Sequence, residues 1–181
     1  MLQPPTNNSA TTRIARSNRL TPSLLDRLTD HQPMQKREAI TAMGMSKRDY
    51  RASVLRDISW LLNTTNADSA IDFTEFTHAK KSVVNFGVIA LSGQYLVDDD
   101  RSIIAKFISQ TLLNYEPRIV PNSLQVKALP MDDSYAARNQ LSLEIKGQLW
   151  ADPYPLEFLL RSHIDLEIGL VQLTDLMDST P

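Results

Sequence analysis

Pro117 is the residue that most constrains what this chain can fold into. A proline ends an α-helix because the residue before it is pushed out of the helical region and its own ring lacks the N–H that the next turn requires. From Asp98 up to this proline, Ile103, Ile104, Phe107, Ile108 and Leu112, with Leu113 near the end, recur at helical spacing. Beyond it, hydrophobicity alternates with period two. Residues 98–126 therefore read as one helix, about 27 Å long at ~1.5 Å per residue, that turns directly into a strand. Glu116 and Arg118 place opposite charges on either side of the turn.

The strands after the turn read clearly. Leu124, Val126 and Ala128 alternate with Gln125 and Lys127; Leu141, Leu143, Ile145 and Leu149 alternate with Ser142, Glu144, Lys146 and Gln148. A third run points Leu156, Phe158, Leu160, Ile164, Leu166 and Ile168 one way and Glu157, Arg161, His163, Asp165 and Glu167 the other. Such alternation marks a sheet with one face on a core and one face in water. Residues 130–139 join the first two strands as a long hairpin, and Asp152–Pro153 marks the next turn. The class is α+β: N-terminal helices packed on one face of a small antiparallel sheet formed by the C-terminal half.

The N-terminal half is helical. Leu24, Leu25 and Leu28 give a short helix with a narrow apolar stripe, and residues 29–45, with Pro33 and Gly44, read as a loop. Ser46 followed by Asp49 resembles a capping box that opens a helix to about Asn63. Tyr50, Val54, Ile58, Leu61 and Leu62, with Leu55 beside them, form its buried face. Lys47, Arg48 and Arg51 crowd its first turns, where the helix dipole disfavours positive charge. Asp98, Asp99 and Asp100 do the reverse, supplying a cap and negative charge at the start of the later helix. Residues 63–93 show no period. Residues 1–20 are rich in Asn, Ser, Thr and Pro, with Arg13, Arg16 and Arg19 unopposed, and are expected to form a disordered, solvated tail before a single domain over 21–177.

A formal charge of −2 over 181 residues argues against a dedicated nucleic-acid binder. Without cysteine, neither a disulfide nor a thiolate metal site can form. No apolar run approaches the roughly 20 residues that span a bilayer, and the N-terminus lacks the apolar core of a secretory signal, so the expected location is cytoplasmic.

Chemistry has few candidates. The three histidines, His31, His78 and His163, have no metal-ligand spacing, and five glycines form no phosphate loop. No cofactor and no metal site is expected. Two carboxylates flanking a sugar could make a glycosidase, one protonated and one ionised. Glu116 is the candidate: burial at a helix end suits the protonated form, whereas Arg118 favours the ionised one. Taken by themselves, Glu116 and Arg118 read as a structural ion pair, and no partner carboxylate can be chosen.

Several segments resemble a known family. Pro22–Leu28 looks like its opening helix, and Ser53–Ile58 with Trp60–Thr64 like its first long helix. Ser82–Gly87 with Leu91–Gly93 resembles the segment before the second, Glu116-Pro117-Arg118 matches its E-P-R turn, and Asp165–Glu167 with Gly169 resembles its closing strand. In this order, over roughly residues 21–170, they resemble TssE, the small baseplate subunit of the bacterial type VI secretion system. TssE is related to the small, "lysozyme-like" baseplate protein of contractile phage tails. The usual proline near Ile89–Ala90 is missing, and the 130–139 loop is particular to this chain.

The resemblance implies a structural, non-enzymatic part in an assembly with wedge and sheath subunits, docked at the inner membrane of a Gram-negative bacterium. Such a subunit links wedge proteins to the contractile sheath and helps start sheath polymerisation, with strand exchange at exposed sheet edges. On that reading Glu116, Pro117 and Arg118 bind a partner, or brace the turn that presents the strand. The alternative inherited from the family label is a peptidoglycan-cleaving muramidase using Glu116.

Overall fold

The computed structural model describes residues 20–29, 34, 45–92, 98–130 and 140–177. Among them run α1 (Leu24–Leu28), α2 (Lys47–Leu62), α3 (Thr77–Lys80), α4 (Asp98–Tyr115), then β1 (Gln125–Ala128), β2 (Gln140–Leu149), β3 (Leu156–Asp165) and β4 (Val171–Asp175). Helices fill the N-terminal half, and the strands form one antiparallel sheet in the order β1-β2-β3-β4, the α+β class that the alternation implies. The chain divides into two compact units, one up to Val54 with Ala151–Pro155, the other Leu55–Trp150 with Leu156 onward.

In the first unit, two Ser-x-x-Asp boxes start helices. Ser46 Oγ accepts from Asp49 N–H at 3.0 Å and donates to Asp49 Oδ2 at 2.6 Å; Ser23 and Asp26 repeat the arrangement at the start of α1. The shorter aspartate thus bonds the serine hydroxyl rather than reaching back to its amide, as a glutamate would. The leucine stripe of α1 buries nothing: Leu24, Leu25 and Leu28 are all exposed. Leu20, by contrast, the last residue assigned to the tail, is buried and accepts from Met45 N–H at 3.1 Å. Residues 1–19, most of the 29–45 loop, the 131–139 part of the hairpin and the side chains of Asp98–Asp100 lie outside the described residues.

The second unit holds the larger core. Leu141, Leu143, Ile145 and Leu149 of β2 and Phe158, Leu160 and Ile164 of β3 are fully buried on one sheet face. Ile58, Leu61 and Leu62 of α2 and Ile104, Ala105, Ile108 and Leu112 of α4 are buried in the same unit. Each such Ile, Leu or Phe side chain contributes about 1.5–3 kcal/mol. Two members of the α4 stripe fall off this face: Ile103 is exposed and Leu113 half so, because the helix turns its Ile104–Ile108–Leu112 line inward.

The third strand is shorter than its alternation suggests, and a fourth follows it. At Asp165 the side chain accepts from Glu167 N–H at 2.8 Å and Ile168 N–H at 3.3 Å, and Gly169 takes a positive φ of 73°. An aspartate that caps its own turn and a glycine in the left-handed region reverse the chain. Asp165–Gly169 is therefore a hairpin turn rather than a closing strand, and Ile168 is exposed there, off the core face assigned to it.

Residues 63–92, without period in sequence, are organised by polar side chains. Buried Asn85 accepts from Ala67 N–H at 3.0 Å and donates to Lys80 O and Asp68 Oδ1. The Tyr115 hydroxyl of α4 is shared between Ser82 O at 3.1 Å and Asn85 O at 2.8 Å. Gly87, with φ 125°, lies so close to Thr64 that a Cβ would stand 2.3 Å from its carbonyl oxygen. That approach lets Val88 N–H reach Thr64 O and Val88 O accept from Asn66 N–H.

Candidate functional site

The helix–proline–strand corner lies in the second unit, and backbone hydrogen bonds hold it at both ends. α4 ends at Tyr115, and Glu116 N–H still bonds Leu112 O at 2.9 Å. After Pro117 the chain pairs with the end of β2: Trp150 N–H donates to Arg118 O at 2.7 Å and Val120 N–H to Gln148 O at 2.8 Å. The turn is thus held to the helix behind it and the sheet ahead of it.

The Glu116 side chain is 4% exposed, and both of its oxygens face Arg118. Arg118 Nε and Nη2 stand 2.6 Å from Glu116 Oε1 and Oε2, and the backbone N–H of Arg118 adds a bond to Oε1 at 3.1 Å. A planar guanidinium gripping a carboxylate at two points fixes direction as well as charge. The expected pair is therefore present, with a third member that the sequence did not indicate. Arg118 Nη2 is also 2.6 Å from Asp57 Oδ2 of α2. Asp57 Oδ1 accepts from Arg56 Nε and Nη2 at 2.9 and 2.8 Å, and the Arg56 guanidinium lies 5.2 Å from the centre of the Trp60 ring.

Four alternating charges thus run from the buried helix end to an exposed indole. Burial works against the charge of Arg118, yet hydrogen bonds and attraction from Glu116 first, and Asp57 second, prevail and raise its pKa above the ordinary arginine value. Both tryptophans border this network and are exposed, Trp60 by 52% and Trp150 by 67%. Nothing in the sequence ties Asp57 to Arg118, because they are 61 residues apart. Pro117 itself is exposed at the apex.

For acid catalysis the arrangement is unfavourable. Glu116 would have to leave both of its bonds to the Arg118 guanidinium before donating a proton to a glycosidic oxygen. Among the described residues, no group of three or more His, Asp or Glu could hold a metal ion. His163 lies on the wet face of β3, its Nδ1 2.9 Å from Ser142 Oγ; His78 is exposed on α3, and His31 is outside the described residues.

The family model described as baseplate wedge protein gp25 matches residues 48–154, more than half of the chain and the whole of the corner with its α2 partner. The chain belongs to the baseplate wedge protein gp25 family. TssE, which the sequence resembles, is of this family, and a structural role in a phage-tail-like baseplate is what membership supports. No curated protein and no solved structure matches this gp25-family chain. No described helix is long and apolar enough to cross a membrane.

Proposed function

We propose that this gp25-family chain is the small baseplate subunit of a type VI secretion system, joining wedge proteins to the contractile sheath and helping its polymerisation begin. The observation that carries the reading is the corner. Glu116, Pro117 and Arg118 form a partner-binding apex whose shape is fixed in the free protein by Asp57, by the end of α4 and by β2. Preorganisation of this kind lowers the entropy lost on docking. The exposed tryptophans beside it are of the type that dominates binding energy at protein interfaces. The role places the chain as a single domain over residues 21–177 on the cytoplasmic side of the inner membrane, at the docked baseplate.

The test is complementation in a type VI-bearing bacterium that lacks its own small baseplate subunit. Arg118→Ala and Glu116→Ala should accumulate as folded protein yet fail to support sheath assembly and secretion. Normal sheaths in both variants would overturn the assignment of the corner. The muramidase alternative is decided by turbidity clearing of peptidoglycan with pure protein. Clearing that Glu116→Gln abolishes would replace the structural reading with an enzymatic one.

A further inference from the structure

The sheet has a second face, turned away from the core, and one row of residues crosses all four strands on it. Lys127, Glu144, Arg161 and Thr174 are register partners on β1, β2, β3 and β4. Beside them on the same side, Lys146 stands opposite Leu159, and Ser142 opposite His163. Lys127, Lys146, His163 and Thr174 are exposed; Glu144, Leu159 and Arg161 are half-buried.

Charges alternate along the row, yet they do not pair. Glu144 has Lys127 on one side and Arg161 on the other, and among the described residues none of the three forms an ion pair. Arg161 is the more exceptional, because its Nε is shut off from water and bonds to nothing. Arg118, by contrast, is gripped by Glu116 and Asp57. A donor taken out of water without an acceptor costs free energy, which an incoming carboxylate recovers. Lys127, Lys146 and Arg161 outweigh Glu144, so the centre of this face is positive and is complementary to an acidic partner.

The backbone decides the form of that partner. β2 and β3 are interior strands with a ladder on each side, and at β4 the Asn63 side chain bonds both backbone groups of Val171 at 2.9 Å. A segment laid on the face therefore finds no main-chain partner and must satisfy its own N–H and C=O groups, as a helix does. Lys127 and Arg161 stand two strands apart, about 10 Å at ~4.8 Å per strand. On one face of a helix, residues i and i+7 are separated by about 10.5 Å, and residue i+3 lies between them.

We propose that this face docks a helix of a partner protein that carries an acid, a base and a second acid at i, i+3 and i+7. The acids meet Lys127 and Arg161, and the base meets Glu144. Leu159 and the aliphatic stem of Lys146 take apolar residues on the flank of the helix. The corner takes no part: Glu144 and Trp150 lie about 20 Å apart along the extended chain, at ~3.4 Å per residue.

The test uses the full chain, isotope-labelled for NMR, and two alanine-based helical peptides of identical composition. One carries Glu, Lys and Glu at i, i+3 and i+7; the other carries Glu, Glu and Lys at those places. The first should bind and move the Arg161 Nε–H signal, and the second should bind about tenfold more weakly. Arg161→Ala should weaken the first peptide about tenfold. Arg161→Lys, which keeps the charge but lacks Nε, should weaken it about fivefold. Glu144→Lys should reverse the preference at the middle place, so that a peptide with Glu at all three binds best. An unmoved Arg161 signal, equal binding of the two peptides, or an unchanged middle preference in Glu144→Lys would each overturn the proposal. So would shifts confined to Trp60 and Trp150, or self-association that moves the Arg161 signal without peptide. Peptide binding as described in a chain that cannot restore sheath assembly would sink the assembly role and leave this face intact.

Discussion

Replacing Arg118 by alanine strands a carboxylate. Glu116 would keep only the backbone N–H of residue 118, and Asp57 would keep Arg56. Breaking a fully buried pair by removing one partner costs about 3–5 kcal/mol, because the remaining charge stays desolvated. Glu116 meets that condition at 4% exposure, but the Arg118 and Asp57 side chains are 20% and 25% exposed, so water partly screens the network. The expected loss is therefore about 2–3 kcal/mol, which for a chain of this size lowers Tm by roughly 5–10 °C. That leaves most of a typical 5–15 kcal/mol of stability, so the variant should stay folded at growth temperature. Urea unfolding with an unchanged m-value, beside calorimetry, measures the loss. Adding Glu116→Gln to Arg118→Ala removes the stranded charge and should recover about 1–2 kcal/mol. A single variant within about 0.5 kcal/mol of the parent, or a double variant no better than the single, would refute the claim that the corner is held by charge pairing.

Burial, aided by the charge of Asp68, raises the Tyr115 pKa above its ordinary 10.0. With a raised folded-state value, the hydroxyl stabilises the fold fully below pH 10.0 and loses that contribution as pH rises beyond it. Tyr115→Phe should cost about 1 kcal/mol at neutral pH and flatten the alkaline limb of a stability–pH profile; an unchanged limb would contradict the assignment. Gly87→Ala should cost about 3 kcal/mol or more, read as a fall in the urea midpoint, because a methyl cannot share space with the Thr64 carbonyl and φ is already positive. Trp60→Ala should leave stability within about 1 kcal/mol yet weaken capture of wedge proteins, since the ring is half exposed and lies against the Arg56 guanidinium.

Much of the architecture was legible because it is local. The α4 stripe, the stop at Pro117 and the alternation in β2 and β3 each follow from spacing within one segment, and the Ser46–Asp49 box from residues three apart. The Glu116–Arg118 pair was legible for the same reason, its members being two residues apart. β4 is not legible because Val171–Asp175 is too short to show a period, and because the apolar alternation of β3 runs on through Leu166 and Ile168, across the turn that the Asp165 side chain and Gly169 make. The segment around Asn85 was unreadable because side-chain bonds to backbone, rather than an apolar period, hold it.

By itself, then, the sequence determined where α2 starts, where α4 stops, the alternation of β2 and β3 and which charges flank the corner, since propensity, capping and a proline's geometry act over a few residues. Only the tertiary structure decided what those charges meet. Asp57 reaches Arg118 across 61 positions and Asn63 reaches Val171 across 108, so both contacts exist only once the core has brought α2 to the corner and to the sheet edge. Burial of apolar faces is non-directional and sets which segments approach; hydrogen-bond geometry then selects the polar partners that fit at each place of approach.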